Sequence, residues 1–161
     1  KNNINGINII SKAAGINGMI AGQAVDIESE GKSIDIDTMK FIHSNKTGAL
    51  IEASIVAAAV MSDADDTRIA ALKTYAKYIG LAFQITDDIL DIEGNEAELG
   101  KKIGSDELND KATYPKYFGL EKSKEYAKNT ITNAIESLNV FEPREKAFFV
   151  DLADYIICRK K

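Results

Sequence analysis

The chain has 161 residues, 45% hydrophobic and 28% charged, a composition that suits one globular domain with a real core and excludes a disordered segment. A net charge of −5 speaks against nucleic acid or an anionic membrane as the main partner, because both select basic surfaces. The single cysteine, Cys158, cannot form an internal disulfide and points to a reducing, cytoplasmic setting. No apolar run approaches the ~20 residues of a membrane span, and no signal-peptide pattern is present. The polar opening "KNNINGIN", without a starting Met, is expected of a piece of something longer.

Helical periodicity runs through the chain, and no strand-type alternation stands between turn signals. A first helix is expected from about Ile9 to Glu30, closing at Gly31. A second starts after Asp37, a good N-cap, and continues to Met61. "SDADD" (Ser62 to Asp66) forms a turn and sets acids at the head of a third helix, which ends near Gly94. From Gly94 to Thr113 the glycines, acids and lysines read as a loop, either functional or merely solvated. Two further helices are expected, about Tyr114 to Leu138 and Glu142 to Arg159, with "NVFEP" between them.

The third helix carries "FQITDDILD", Phe83 to Asp91. At about 100° per residue, Gln84, Asp87, Asp88 and Asp91 share an arc of roughly 100°. Most of the remaining circumference is apolar, so the carboxylates are expected to face an interior cavity. Two terms oppose that arrangement. Like charges at i, i+4 repel, and acids near a helix C-terminus are disfavoured by about 0.3–1 kcal/mol each. No Lys or Arg lies between Ile79 and Glu93, so compensation must come from distant lysines or a bound metal. All-oxygen ligands suit Mg²⁺, with Mn²⁺ as a second choice, bound through one or two carboxylates and substrate phosphates. One histidine gives zinc or di-iron chemistry poor support. An acidic, solvated helix end is the plain alternative.

Lysines supply what a metal-bound diphosphate needs on its far side. "NKTG" places Lys46 and Thr47 inside a helix beside a glycine that permits close approach, and "GKKIG" places Lys101 and Lys102 between glycines.

Six stretches occur in order: "GQAVD" (Gly22 to Asp26), "HSNKTGALI" (His43 to Ile51), "GLAFQITDDILD" (Gly80 to Asp91), "LGKKIGSD" (Leu99 to Asp106), "KATYP" (Lys111 to Pro115) and "LADYIICRKK" at the end. Together they resemble the C-terminal half of a trans-isoprenyl diphosphate synthase, most closely the bacterial farnesyl diphosphate synthase type. The resemblance runs from about Gly15 to the last residue. It implies an all-α bundle around a deep cavity, with two aspartate-rich motifs facing each other.

By that resemblance, Asp87, Asp88 and Asp91 match the second motif. Asp87 would be the direct Mg²⁺ ligand, with Asp88 and Asp91 acting partly through water. Lys46 and Lys101 match lysines that bind the allylic diphosphate. Thr47 and Gln84 match polar groups near the developing allylic cation, and Gln23 and Asp26 a helix position near the metal–diphosphate cluster. Phe83 matches an aromatic residue beside the homoallylic substrate, and Arg159 a contact with that substrate's diphosphate. The implied reaction condenses geranyl or dimethylallyl diphosphate with isopentenyl diphosphate to give farnesyl diphosphate, in a protein that is homodimeric at full length.

The residue types agree with that chemistry. Ionising an allylic C–O bond requires charge stabilisation on the leaving diphosphate, and a dry pocket for the cation. The first aspartate-rich motif and its trailing arginines are absent, so this polypeptide alone is expected to be inactive. A non-catalytic helical subunit or diphosphate-binding module is the main alternative. A class I terpene cyclase is weaker, since "NDKATYP" does not resemble its second metal motif. The EF-hand spacing is not met by "DILDIEGNEAE".

Overall fold

The computed structural model describes residues 2–93 and 111–159. The expected loop from Gly94 falls outside the described residues except for 111–113, which are not helical. In chain order the elements are α1 (Asn2–Ala14), α2 (Met19–Ser29), α3 (Ile36–Ile42), a π-helical turn (His43–Gly48) and α4 (Ala49–Met61), then α5 (Asp66–Glu93), α6 (Tyr114–Phe118), α7 (Leu120–Ser137) and α8 (Pro143–Cys158). No strand occurs among the described residues.

Several expected boundaries shift, each for a local reason. The first helix is two helices, because the chain turns at Gly15–Gly18, where the Gly18 amide donates to the Gly15 carbonyl at 3.0 Å. The N-cap of α3 is Asp35 rather than Asp37: its Oδ1 accepts from the Thr38 amide at 2.7 Å. The expected second helix is not uniformly α. Its middle widens into the π-helical turn that carries Lys46 and Thr47, and such turns occur often at functional sites. The helix expected from Tyr114 breaks at Gly119, whose φ of +81° suits glycine and ends α6 after five residues. Glu142 caps α8 in a reciprocal capping box with Glu145.

α5, 28 residues long, is the central helix and packs against α4, α7, α8 and the π-helical turn. Its buried residues include Leu72, Tyr75, Ile79, Ala82 and Ile85, so it is covered nearly all round. Tyr75 is fully buried and donates its hydroxyl to the Phe149 carbonyl at 2.6 Å, which ties α5 to α8. Leu72, Ile79, Ile131, Leu138 and Ile156 close one core cluster, and Met39, Ile85, Ile89, Tyr114 and Ala127 a second. The exposed apolar surface lies elsewhere, on Ile4, Ile7 and Ile10 of α1 and Ile20 and Ile27 of α2.

Candidate functional site

Between α2, α3, the π-helical turn and the C-terminal half of α5 lies a cleft of about 380 Å³. Asp26, Lys46, Thr47 and Phe83 line it, as do Gln84, Asp87 and Asp88. Lys32 and Lys111 add two further cations. Residues from three of the motif stretches, far apart in sequence, therefore share one cavity.

The contact that makes this possible is at Gly22. A Cβ on Gly22 would stand 2.2 Å from the Lys46 backbone nitrogen and 2.8 Å from the Asn45 carbonyl carbon. Helix α2 thus rests directly on the backbone of the π-helical turn, a distance only glycine permits. One helical turn beyond Gly22, Asp26 meets Lys46, with Nζ 2.5 Å from Oδ2. Close approach at the NKTG glycine also occurs, but its partner is α5: a Cβ on Gly80 would lie 3.2 Å from the Gly48 Cα.

The aspartate stripe turns inward as its periodicity requires. Asp88 is 7% exposed and Asp91 1%, while the Asp87 side chain keeps 43% of its surface exposed. The compensation is not from lysine alone. Arg159 donates from Nη2 to Asp87 Oδ1 at 3.3 Å and to the Phe83 carbonyl at 3.3 Å, and its guanidinium lies 4.1 Å from the Phe83 ring centroid. Only 10% of the Arg159 side chain is exposed. The Tyr114 backbone amide donates to Asp88 Oδ2 at 2.8 Å. Burial, with help from the Asp88 charge, pushes the Tyr114 hydroxyl up to about 12.

Gln23, Asp91 and Arg159 are not among the described lining residues of the cleft. Gln23 is half-buried on α2, and Asp91 is enclosed one turn beyond Asp87. Lys101 lies outside the described residues. Sequence reasoning missed the Arg159–Asp87 and Tyr114–Asp88 contacts, because they join residues 72 and 26 positions apart. The ordered motifs "KATYP" and "LADYIICRKK" were the available signal.

Among the described residues, no group of three or more His, Cys, Asp or Glu is arranged to hold a metal ion. The oxygen-only donors on the cleft, Asp87 and Asp88, still fit a hard divalent cation. Mg²⁺ characteristically takes one or two carboxylates and completes its shell with water and substrate phosphate.

An all-α bundle with a carboxylate-and-lysine cleft of this kind defines an isoprenoid-synthase type of fold. The polyprenyl synthetase family pattern matches residues 2–149, and the chain belongs to that family. It is 43% identical over 151 residues to a chloroplastic geranylgeranyl pyrophosphate synthase of Catharanthus roseus, covering 93% of this chain and 42% of that protein. It is 41% identical over 155 residues to the farnesyl diphosphate synthase of Micrococcus luteus, covering 96% of this chain and 53% of that one. A geranyltransferase structure from Helicobacter pylori, complexed with magnesium and isoprenyl diphosphate, superposes with a TM-score of 0.78 at 30% identity. That match covers 96% of this chain and 50% of the other. The chain thus spans about half the length of the relatives it matches. No described helix is long and apolar enough to cross a membrane.

Proposed function

We propose that this chain supplies the diphosphate-binding part of a prenyltransferase that condenses geranyl or dimethylallyl diphosphate with isopentenyl diphosphate to give farnesyl diphosphate. The carrying observation is that Lys46, Thr47, Gln84 and Asp87 line one cleft. In this reading Lys46, and Lys101 from the segment outside the described residues, hold the allylic diphosphate through charge-assisted bonds. Asp87 offers a carboxylate to Mg²⁺ (or Mn²⁺), and Asp88 and Asp91 act behind it through water. The cation, when bound, supplies electrostatic stabilisation of the departing diphosphate.

Thr47 and Gln84 present neutral oxygens where positive charge develops on the allylic carbons. Phe83 provides an apolar face beside the homoallylic chain. Asp26 holds the Lys46 ammonium in place at 2.5 Å, and Gln23 stands on the same helix one turn earlier. Arg159 reaches the homoallylic diphosphate only if it leaves Asp87. Relatives named as farnesyl and as geranylgeranyl synthases support the reaction class equally, so the farnesyl product rests on the overall resemblance of the motifs.

We further propose that the chain is the C-terminal portion of one isoprenoid-synthase domain, in a protein that is cytoplasmic and homodimeric at full length. The exposed isoleucines of α1 and α2 are the apolar surface such a reading requires to be covered. The 161-residue chain alone is then inactive. Product from the purified chain with Mg²⁺, geranyl diphosphate and isopentenyl diphosphate would overturn that statement.

Binding is tested separately by calorimetry with inorganic diphosphate and Mg²⁺. Asp87→Ala is expected to weaken Mg²⁺-dependent binding by more than about tenfold. Unchanged affinity removes Asp87 from the metal role. Diphosphate binding by the chain, with no prenyl transfer even after the complementary half is added, favours the non-catalytic module instead.

A further inference from the structure

The "KATYP" stretch has no role in the reaction as proposed, yet its geometry is complete. Thr113 has extended backbone (φ −129°, ψ 160°) and caps α6. A helix start leaves its first amides without helical partners, and here each is accounted for. The Lys116 amide donates to Thr113 Oγ1 at 3.4 Å. Pro115 has no amide hydrogen and suits the first helical turn. The Tyr114 amide remains, and it donates to Asp88 Oδ2 at 2.8 Å. The Tyr117 amide then makes the first backbone bond of the helix, to the Thr113 carbonyl at 3.2 Å.

That contact is buried at both ends. Tyr114 is 5% exposed and Asp88 7%. The Tyr114 ring stacks on His43 of the π-helical turn, with centroids 5.8 Å apart and an interplanar angle of 23°. It also packs with Ile85, Ile89 and Met39. Lys111, Ala112 and Thr113, just before it, line the cleft. A single carboxylate thus fixes a cleft wall and the π-helical turn relative to the helix that carries Asp87.

We propose that Asp88 is a positioning residue. Its carboxylate anchors the Thr113–Tyr114–Pro115 helix start, and this sets the distance between Asp87 and the wall formed by residues 111–113. The proposal deepens the diphosphate-binding reading and rests on it. Asp87 and Asp88, adjacent in sequence and about 100° apart on the helix, then have separate tasks: Asp87 toward the ligand, Asp88 toward the protein.

The test compares Asp88→Asn, which keeps an oxygen acceptor, with Asp88→Leu, which removes it, and with Asp87→Asn. Two quantities are read: hydrogen exchange at the Tyr114 amide without ligand, and inorganic diphosphate affinity in the presence of Mn²⁺. Asp88→Leu is expected to speed Tyr114 exchange by more than about tenfold and to weaken diphosphate binding. Asp88→Asn is expected to hold exchange within about threefold of the parent and to recover most of the affinity, because a neutral acceptor still takes an amide hydrogen bond. Asp87→Asn is expected to lose affinity with Tyr114 exchange unchanged.

The proposal is overturned if Asp88→Leu leaves Tyr114 exchange as in the parent. It is equally overturned if Asp88→Asn keeps that protection but loses as much affinity as Asp87→Asn, since Asp88 would then be acting on the ligand. Should Asp88→Leu fail to fold, Asp88→Asn against Asp87→Asn decides alone. Should the parent bind no diphosphate, the functional reading fails while Tyr114 exchange still tests the anchor.

Discussion

Replacing Gly22 with alanine is the sharpest test of how the cleft is assembled. The added Cβ would stand 2.2 Å from the Lys46 nitrogen and 2.8 Å from the Asn45 carbonyl carbon and the Lys46 Cα. Relaxed contacts between such atoms lie at about 3.5–4.0 Å. All three neighbours are backbone atoms, so no side-chain rotation relieves the clash. Helix α2 and the π-helical turn must separate by about 1 Å or more. Overpacking of this kind costs about 1–3 kcal/mol, while alanine in a helix interior returns about 0.8–1 kcal/mol over glycine. Stretching the Lys46–Asp26 bridge adds little, because both side chains are partly exposed, at 36% and 24%. The expected net destabilisation is about 1–2 kcal/mol, or roughly 2–8 °C in melting temperature for a chain of this size. Diphosphate affinity should fall with it, since Lys46 moves relative to Asp87. Thermal unfolding followed by circular dichroism, paired with diphosphate calorimetry, reads both effects. A Gly22→Ala protein that melts at or above the parent temperature with unaltered affinity would refute the close approach and the role assigned to it.

Other perturbations are simpler. Lys46→Met should weaken inorganic diphosphate binding by about 10- to 100-fold, the worth of a charged hydrogen bond, with little change in melting temperature; calorimetry and a thermal scan separate the two. Asp35→Ala removes the α3 cap and should cost about 0.5–2 kcal/mol in urea unfolding. Stability should also fall in alkali. Burial raises the hydroxyl pKa of both Tyr75 and Tyr114 above the ordinary value of 10, that of Tyr114 to about 12. The folded state therefore holds their protons more tightly than the unfolded state. Their contribution is complete below about pH 10 and is lost as pH rises toward and beyond 12, each pH unit between the unfolded and folded values being worth about 1.4 kcal/mol. Urea midpoints between about pH 9 and 12 check this, and Tyr114→Phe should flatten part of the decline.

Periodicity and spacing alone determined a great deal of this protein. The apolar faces required helices. The i, i+3, i+4 and i+7 placement of Gln84, Asp87, Asp88 and Asp91 required one polar stripe on a buried helix, and the structure encloses Asp88 and Asp91 accordingly. Helix ends were less legible where glycines break the pattern. "AGING" (Ala14 to Gly18) and Gly119 continue a helical spacing of apolar residues while the backbone turns. The π-helical turn is equally hidden, since one extra residue per turn leaves no mark in composition.

Only the tertiary structure decided which groups neutralise the aspartates. Charge balance called for cations, but spacing along the chain sets no distance between residues 72 positions apart. The folded chain answers with Arg159 on Asp87 and a backbone amide, a donor no sequence scan counts, on Asp88. The physical reason is range. Helix formation depends on contacts within four residues and is written locally. Desolvated charges are satisfied by whatever the packing brings within about 3 Å, and that is a property of the whole fold.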